Sequence, residues 1–241
     1  MGRRTDDFGE NNIGQIVLHR TEPVDALTIS VTSALAPESA KKAFRKGLDQ
    51  EKKNNWDEAR VWFESFLEIY SKYAVAWFEL GRVQMPRNEG ADAARCWEQA
   101  SVADPEYLPP YQMLAQVAAG EGRWQELVKA TEQWLALDSA DFPDAWYLNA
   151  VGNYAQGNLS AAEDSARQGI KLDQRHRIPK LQYVPGVILM QRRAYAEAEE
   201  TMQAYLHLVN KPLDVNEARK QLAQIERLSA NANFAASGEK H

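Results

Sequence analysis

The residues that most often carry out chemistry are few and scattered in this sequence. The histidines are His19, His176, His207 and His241, and Cys96 is the single cysteine. Their spacing gives neither the HExxH pattern of zinc proteases nor a cysteine–histidine cluster. Adjacent carboxylates occur at Glu199–Glu200 and at Asp6–Asp7, but a general acid and base also need a cleft that drives their pKa values apart. The sequence therefore predicts no catalytic residue, no metal site and no cofactor.

Catalytic and nucleotide-binding motifs are absent as well. The chain contains no GxSxG nucleophile elbow, no GxxxxGKS/T phosphate loop and no GxGxxG after a strand. A lone cysteine forms no disulfide within the chain, so we expect Cys96 to be a buried, unreactive thiol. These observations favour a protein that is not an enzyme.

Composition and charge indicate a folded chain and argue against a nucleic-acid partner. Hydrophobic residues make up 44% of the 241 residues and charged residues 26%, which is typical of a folded chain. The net charge is −6, with acidic and basic residues interspersed, whereas a nucleic-acid surface needs a concentrated basic face. No apolar run approaches the roughly 18–20 residues of a membrane span, and Met1 to Asn12 does not resemble a secretory signal. The default expectation is a cytoplasmic protein, or an extracytoplasmic one if the chain belongs to a longer protein.

Internal repeats organise most of the chain. One series of small residues recurs with separations of 34, 34, 35 and 36 positions: Gly47, Gly81, Ala115, Ala150 and Gly186. A second series, twelve residues further on, keeps the same separations: Ala59, Ala93, Leu127, Ala162 and Ala198. Small residues in step predict pairs of helices that cross closely, each pair closing its apolar face on the next. Asn- and Gly-containing turns within pairs, and prolines between pairs, fit that arrangement.

The repeat pattern resembles the tetratricopeptide repeat. The second unit carries the likeness best, through Trp77, Leu80, Gly81, Ala93, Trp97, Ala100 and Pro105. Lys46 and Asn149 stand where the family has Leu, and Gln182 where it has Trp. The resemblance covers about Ala40 to Pro212. It implies an all-α fold, a right-handed α–α superhelical solenoid, that binds protein or peptide partners rather than catalysing a reaction.

The resemblance and the residue pattern together give domain boundaries. We expect five helix pairs over residues 37–212, a capping helix over residues 213–230 and a flexible tail over residues 231–241. Asp214 and Glu217 form a candidate capping box for the last helix.

Residues 1–36 differ in kind from the repeats, because two segments rich in Val, Ile and Thr predict a short β-hairpin. A lone hairpin is marginal in water. It would therefore pack on the first helix pair, pair with another chain to give a homodimer, or be the remnant of a larger β domain. The order of β segment and repeats is similar to bacterial envelope proteins with a carboxypeptidase-regulatory-like domain before the helices.

The resemblance also implies where a partner binds. In this family the first helix of each pair lines a concave groove. The groove residues expected on these helices are Phe44, Phe78, Arg82, Met85, Gln112, Gln116, Tyr147, Val151, Tyr183, Val187 and Met190. So many apolar side chains at one phase indicate either an exposed peptide-binding groove or packing beneath neighbouring segments. Two functions stay open. One is a scaffold that binds a segment of another protein; the other is a structural fragment of a bacterial envelope protein whose groove is filled by its own chain or a second copy.

Overall fold

The computed structural model describes residues 36–238. The strands expected before residue 36, and the likeness to envelope proteins that they carry, lie outside the described residues. Within residues 36–238 the chain is helical, with short connections and no strand. The expectation of an all-α repeat fold is therefore confirmed for this part of the chain.

Eleven α-helices follow one another along the described residues. They are α1 (Glu38–Glu51), α2 (Trp56–Ile69), α3 (Ala74–Gln84), α4 (Gly90–Ala103), α5 (Pro109–Gly120), α6 (Trp124–Leu137), α7 (Pro143–Ala155), α8 (Leu159–Leu172), α9 (Lys180–Gln191), α10 (Tyr195–Leu208) and α11 (Pro212–Gly238). A 3-10 turn, Met85–Arg87, continues α3. In chain order we number the first ten helices as five helix pairs, and α11 follows them.

The turn within each pair contains one residue in the left-handed backbone region. These residues are Asn54, Asn88, Gly122, Gly157 and Arg193, with φ between 58° and 79°. Glycine and asparagine adopt this region at low cost, which is why the sequence signalled four of the five turns. Arg193 gives no such signal, and its turn is formed by backbone hydrogen bonds from Arg193 and Ala194 to the last turn of α9.

The small residues of the first series lie where two helices of a pair touch. A Cβ added at Gly81 would stand 2.4 Å from Nε1 of Trp97, and one added at Gly47 would stand 2.6 Å from the ring of Phe63. Trp97 is fully buried, and its Nε1 donates to the carbonyl oxygen of Phe78 at 3.2 Å. The predicted close crossing of the two helices at these small residues is thus seen at Gly47 and Gly81, and the structure adds that a large aromatic side chain of the second helix fills the space there.

Large aromatic residues near the start of three first helices hydrogen-bond to the connections that precede those helices. The indole of Trp77 donates to the carbonyl oxygen of Ser71 at 2.8 Å, and that of Trp146 donates to Ser139 at 2.9 Å. The hydroxyl of Tyr111 donates to the carbonyl of Pro105 at 3.1 Å. Each of these side chains therefore ties its helix to the connection that precedes the pair.

The described chain divides into two compact units. The first unit runs to Glu126 and the second begins at Leu127, close to the start of α6. In the first unit α1 packs on α2, α2 on α3, α3 on α4 and α4 on α5. In the second unit the same sequential packing links α7, α8, α9, α10 and α11, and α7 also touches α9.

Two departures from the family pattern have physical explanations. Lys46, at a Leu position, lies in the first helix pair and places its Nζ 3.9 Å from the ring centroid of Trp62, a cation–π contact. Asn149, at another Leu position, is buried in the second unit. Its amide donates to Thr131 at 2.9 Å, and its Oδ1 accepts from Ser165 at 2.7 Å and from Asn153 at 2.9 Å. Because its polar atoms are satisfied, the asparagine is tolerated in the core.

The C-terminal helix differs from its predicted bounds. It begins at Pro212, so Asp214 lies inside the first turn and is not the N-cap; the predicted capping box is wrong. Proline is favoured in the first turn, because its missing N–H would lack a helical partner there in any case. The helix also continues to Gly238, beyond residue 230. Several alanines follow that position, and alanine has the highest helix propensity.

Candidate functional site

In the first unit, the predicted groove residues form a partly exposed row along three first helices, which we call the first-unit row. Met85 is 40% exposed and the other members are half-buried. The members are Phe44 on α1, Phe78, Arg82 and Met85 on α3 and its continuation, and Gln112 and Gln116 on α5. Phe44 is the most packed of the aromatic members, since its ring lies 5.4 to 5.6 Å from those of Phe63, Phe66 and Tyr73.

Arg82 lies between two carboxyl groups of its own unit. Its Nη1 is 2.8 Å from Glu79 on the same helix, and its Nη2 is 3.0 Å from Glu51 at the end of α1. Glu79 is only 5% exposed, whereas the side chain of Arg82 keeps 39% of its surface. The sequence predicted Arg82 as a residue of the partner-binding groove. The structure gives it two intramolecular partners and leaves its side chain partly exposed.

The two carboxyl groups also hydrogen-bond to each other. Burial raises the pKa of Glu79 to about 7, and the neighbouring Glu51 adds to this rise while Arg82 opposes it. Burial raises the pKa of Glu51 as well, with Arg82 again opposing. A carboxyl group that loses water beside another carboxylate favours its neutral form. Glu79 therefore gains or loses its proton close to neutral pH, and in its protonated form it donates a hydrogen bond to Glu51.

Tyr107 closes this group on the side of α5. Burial raises the pKa of its hydroxyl, and the charge of Glu79 raises it further. Its ring meets that of Phe78 edge to face, with centroids 5.7 Å apart. The acid–base group thus lies directly beside the aromatic part of the first-unit row. We call Glu51, Glu79 and Arg82 the carboxyl–guanidinium cluster.

In the second unit the predicted row is covered. Tyr147, Val151, Tyr183 and Val187 are all buried, and Met190 is half-buried. The ring of Tyr183 packs 5.4 Å from that of Tyr205 on α10, and its hydroxyl donates to Glu217 of α11 at 3.4 Å. These residues therefore occupy contacts between helices of their own unit rather than an open surface. The alternative left open by the sequence, packing beneath neighbouring segments, describes this part of the row.

Two acidic side chains near the start of α11 contact α9. Asp214 lies 3.6 Å from Nζ of Lys180, and Glu217 accepts from Tyr183 and from Gln221. Burial raises the pKa of Tyr147, and Tyr205 and Asp214 contribute. Within the described residues the buried hydroxyl of Tyr147 has no hydrogen-bond partner. The two residues proposed as a capping box thus serve in helix packing.

A mixed-charge cleft of about 330 Å³ lies elsewhere on the first unit. Its lining residues are Arg60, Gln84, Glu89, Asp92, Arg95 and Cys96. The thiol of Cys96 is buried and lies 3.4 Å from Oε1 of Gln84, and burial raises its pKa to about 11. A thiol with so high a pKa is a poor nucleophile, as the sequence predicted for Cys96.

Two further features are absent from residues 36–238. No helix there is both long and apolar enough to cross a membrane. No three His, Cys, Asp or Glu side chains in the same range are arranged to hold a metal ion.

Sequence reasoning missed Glu51, Glu79 and Tyr107. The carboxylate pairs it considered were neighbours in sequence, whereas the pair that meets in space joins two different first helices. One signal was present, because Glu79 precedes Arg82 by one helical turn and such residues share a helix face.

Solved structures of other proteins establish the fold. MamA from Desulfovibrio magneticus RS-1 matches with a TM-score of 0.60 and 13% identity, over 72% of this chain and 96% of MamA. YrrB, described as a TPR protein with an unusual peptide-binding site, matches with a TM-score of 0.67 and 17% identity, over 79% and 98%. A tetratricopeptide repeat protein from Parabacteroides merdae ATCC 43184 matches with a TM-score of 0.65 and 14% identity, over 85% and 79%. No family model and no curated protein matches the sequence.

At these identities the likeness concerns the fold alone. The described chain therefore has the tetratricopeptide-type helix-pair fold. Its partners have to be argued from its own side chains.

Proposed function

We propose that this protein is a non-catalytic scaffold that binds a polypeptide segment of a partner along the first-unit row. The observation that carries the proposal is the partial exposure of apolar row residues on α1 and α3, with Met85 40% exposed. Large apolar side chains that keep accessible surface in a row are a common basis of peptide recognition. Gln112 and Gln116 extend the row onto α5 with side chains that can donate and accept hydrogen bonds.

The row has both parts that a peptide site needs. Phe78 and Met85 offer apolar area whose burial by a partner is favourable by about 25 cal/mol per Å². The carboxyl–guanidinium cluster and the two glutamines offer polar groups that can fix the direction and register of a bound segment. The fold shared with a structure described as having a peptide-binding site is consistent with this use.

The test is affinity capture with a matched pair of variants. Wild-type protein, a Phe78→Ser/Met85→Ser variant and a Val102→Ser variant are immobilised and exposed to native extract, and bound proteins are quantified by mass spectrometry. Val102 is 74% exposed on the second helix α4, so it controls for the loss of an exposed apolar side chain outside the row. We expect the row variant to lose the proteins that wild type and Val102→Ser retain. Equal capture by all three would refute the row as the site.

A second candidate function is structural, as part of a larger envelope protein whose groove is filled by its own chain or a second copy. The burial of Tyr147 and Tyr183 in the second unit, with Glu217 of α11 beside Tyr183, favours it. It predicts no specific captured partner. Light scattering would then report either a monomer or a defined homodimer, and removal of residues 1–35 would turn the dimer into a monomer.

A further inference from the structure

We propose that the carboxyl–guanidinium cluster makes the first-unit row a proton-controlled site. It accepts an acidic segment of a partner while Glu51 and Glu79 share a proton, and it rejects that segment once the proton is lost. This inference rests on the proposed function and adds to it the charge of the partner and the condition for its release.

The charge of the cluster depends on a single proton. With Glu79 neutral, the negative charge of Glu51 and the positive charge of Arg82 cancel. With Glu79 ionised, two carboxylates surround one guanidinium and the cluster has a net charge of −1. Because Glu79 is almost fully buried and hydrogen-bonded to Glu51, water screens this change poorly.

Among the described residues, the groups that act on the cluster besides Arg82 are Lys52 and several phenolic or acidic side chains. From the connection before α5, Tyr107 faces Glu79, and Tyr73 lies before α3 on the same side. Asp104 acts on Tyr107 and is itself acidic. Lys52, directly after α1, lowers the pKa of Glu51. Burial, Arg82 and Glu79 each affect that pKa more strongly than Lys52 does. The proton on Glu79 is therefore the main control of the local charge.

Arg82 is the group through which a partner would sense that charge. The side chain of Arg82 keeps 39% of its surface exposed, one helical turn after Phe78 and one turn before Met85. Arginine presents several N–H donors in a fixed fork, so it can bind a further carboxylate while keeping its contact with Glu51. A segment that combines a carboxylate with apolar side chains fits this arrangement. A second negative charge at the cluster would repel that carboxylate.

The expected size of the effect follows from the fraction of protonated cluster. With the pKa of Glu79 at about 7, that fraction is about ten times larger near pH 6 than near pH 8. Apparent affinity scales with the fraction of competent protein. Binding of an acidic segment should thus be about tenfold tighter near pH 6 than near pH 8.

The experiment uses a display library of short random peptides as the probe. The library is sorted against the full chain near pH 6 and near pH 8, with wild type, Glu79→Gln, Arg82→Gln and Glu98→Gln. Glu98 is an exposed glutamate of α4 and serves as the control. We expect wild type and Glu98→Gln to enrich Asp and Glu only near pH 6. Glu79→Gln should enrich them at both pH values, because the cluster is then permanently neutral, and Arg82→Gln at neither.

The outcomes separate this inference from the proposed function. Wild type that captures no peptide at either pH refutes both. Peptides captured with the same acidic content at both pH values refute proton control and leave the scaffold function standing. Carbon-13 NMR titration of the glutamate carboxyls in wild type is the second measurement, so the inference remains testable if a variant fails to fold. Titration of every glutamate near its ordinary pKa overturns it.

Discussion

Replacing Glu79 with glutamine should change how the stability of the protein depends on pH. The pKa of Glu79 is raised from its ordinary value of 4.5 to about 7 in the folded chain, first by burial. A group whose pKa is raised on folding stabilises the fold most at a pH where it is protonated in both the folded and the unfolded chain. That stabilisation is fully present below about pH 4.5 and is lost progressively as the pH rises through about 7. A glutamine side chain cannot ionise, so the Glu79→Gln variant lacks this loss.

The magnitude follows from the shift of the pKa. Each pKa unit corresponds to about 1.4 kcal/mol, so the wild type should lose on the order of 3 kcal/mol of stability relative to the variant across this range. Solvent screening reduces the figure little, because the side chain of Glu79 is 6% exposed. Any contribution of Glu51 has the same sign, since its pKa is also raised.

Urea unfolding followed by circular dichroism measures the difference directly. Wild type, Glu79→Gln and Glu98→Gln are unfolded at several pH values between about 5 and 8. We expect the free energy of unfolding of wild type and Glu98→Gln to fall with pH relative to that of Glu79→Gln. Parallel curves for all three proteins would refute the shared proton between Glu51 and Glu79.

Three further predictions concern packing and reactivity. Gly81→Ala places a methyl group against the buried indole of Trp97 and should lower the free energy of unfolding by about 1–3 kcal/mol. The control is Gly90→Ala, which should change that free energy little because nothing lies within 4 Å of the new Cβ. Urea unfolding of the two variants compares them. Asn149→Leu restores the family residue but leaves the hydroxyl of Ser165 without its acceptor. The variant should therefore be less stable than wild type by about 1–3 kcal/mol, as measured by thermal or urea unfolding. A more stable variant would contradict the polar network around Asn149. Cys96 should react slowly with a thiol reagent in the folded protein and quickly in urea, because its pKa is raised to about 11; equal rates would show an accessible thiolate.

The repeat fold could be predicted from the sequence because its determinants are local and periodic. The positions of Gly81 and Trp97 recur with the period of the helix pairs. Asn54 and Gly157 mark turns that need a residue in the left-handed backbone region. Pro109 and Pro143 begin helices in the structure, as their fixed φ allows. Each of these signals either lies within one helix pair or repeats from one pair to the next.

The candidate site could be predicted only in part, because the exposure of its side chains and the pairing of its carboxyl groups depend on contacts between repeats. Phe78 and Met85 keep accessible surface, whereas Tyr147 and Tyr183, which the same sequence phase placed in the groove, are buried. The sequence pattern cannot distinguish these cases, since burial of Tyr183 depends on α10 and on Glu217 of α11. Likewise, the meeting of Glu51 with Glu79 depends on how α1 lies against α3.

Site-specific photocrosslinking tests the central claim, that a partner segment binds along the first-unit row. A photoreactive amino acid replaces Gln112, which is half-buried in the row on α5, and in a separate protein replaces the exposed Val102 on α4. Both proteins are irradiated in native extract, and the crosslinked partners are identified by mass spectrometry. We expect crosslinks to a polypeptide from position 112 and none to the same polypeptide from position 102. A partner that crosslinks from position 102 and never from position 112 would contradict binding along the first-unit row.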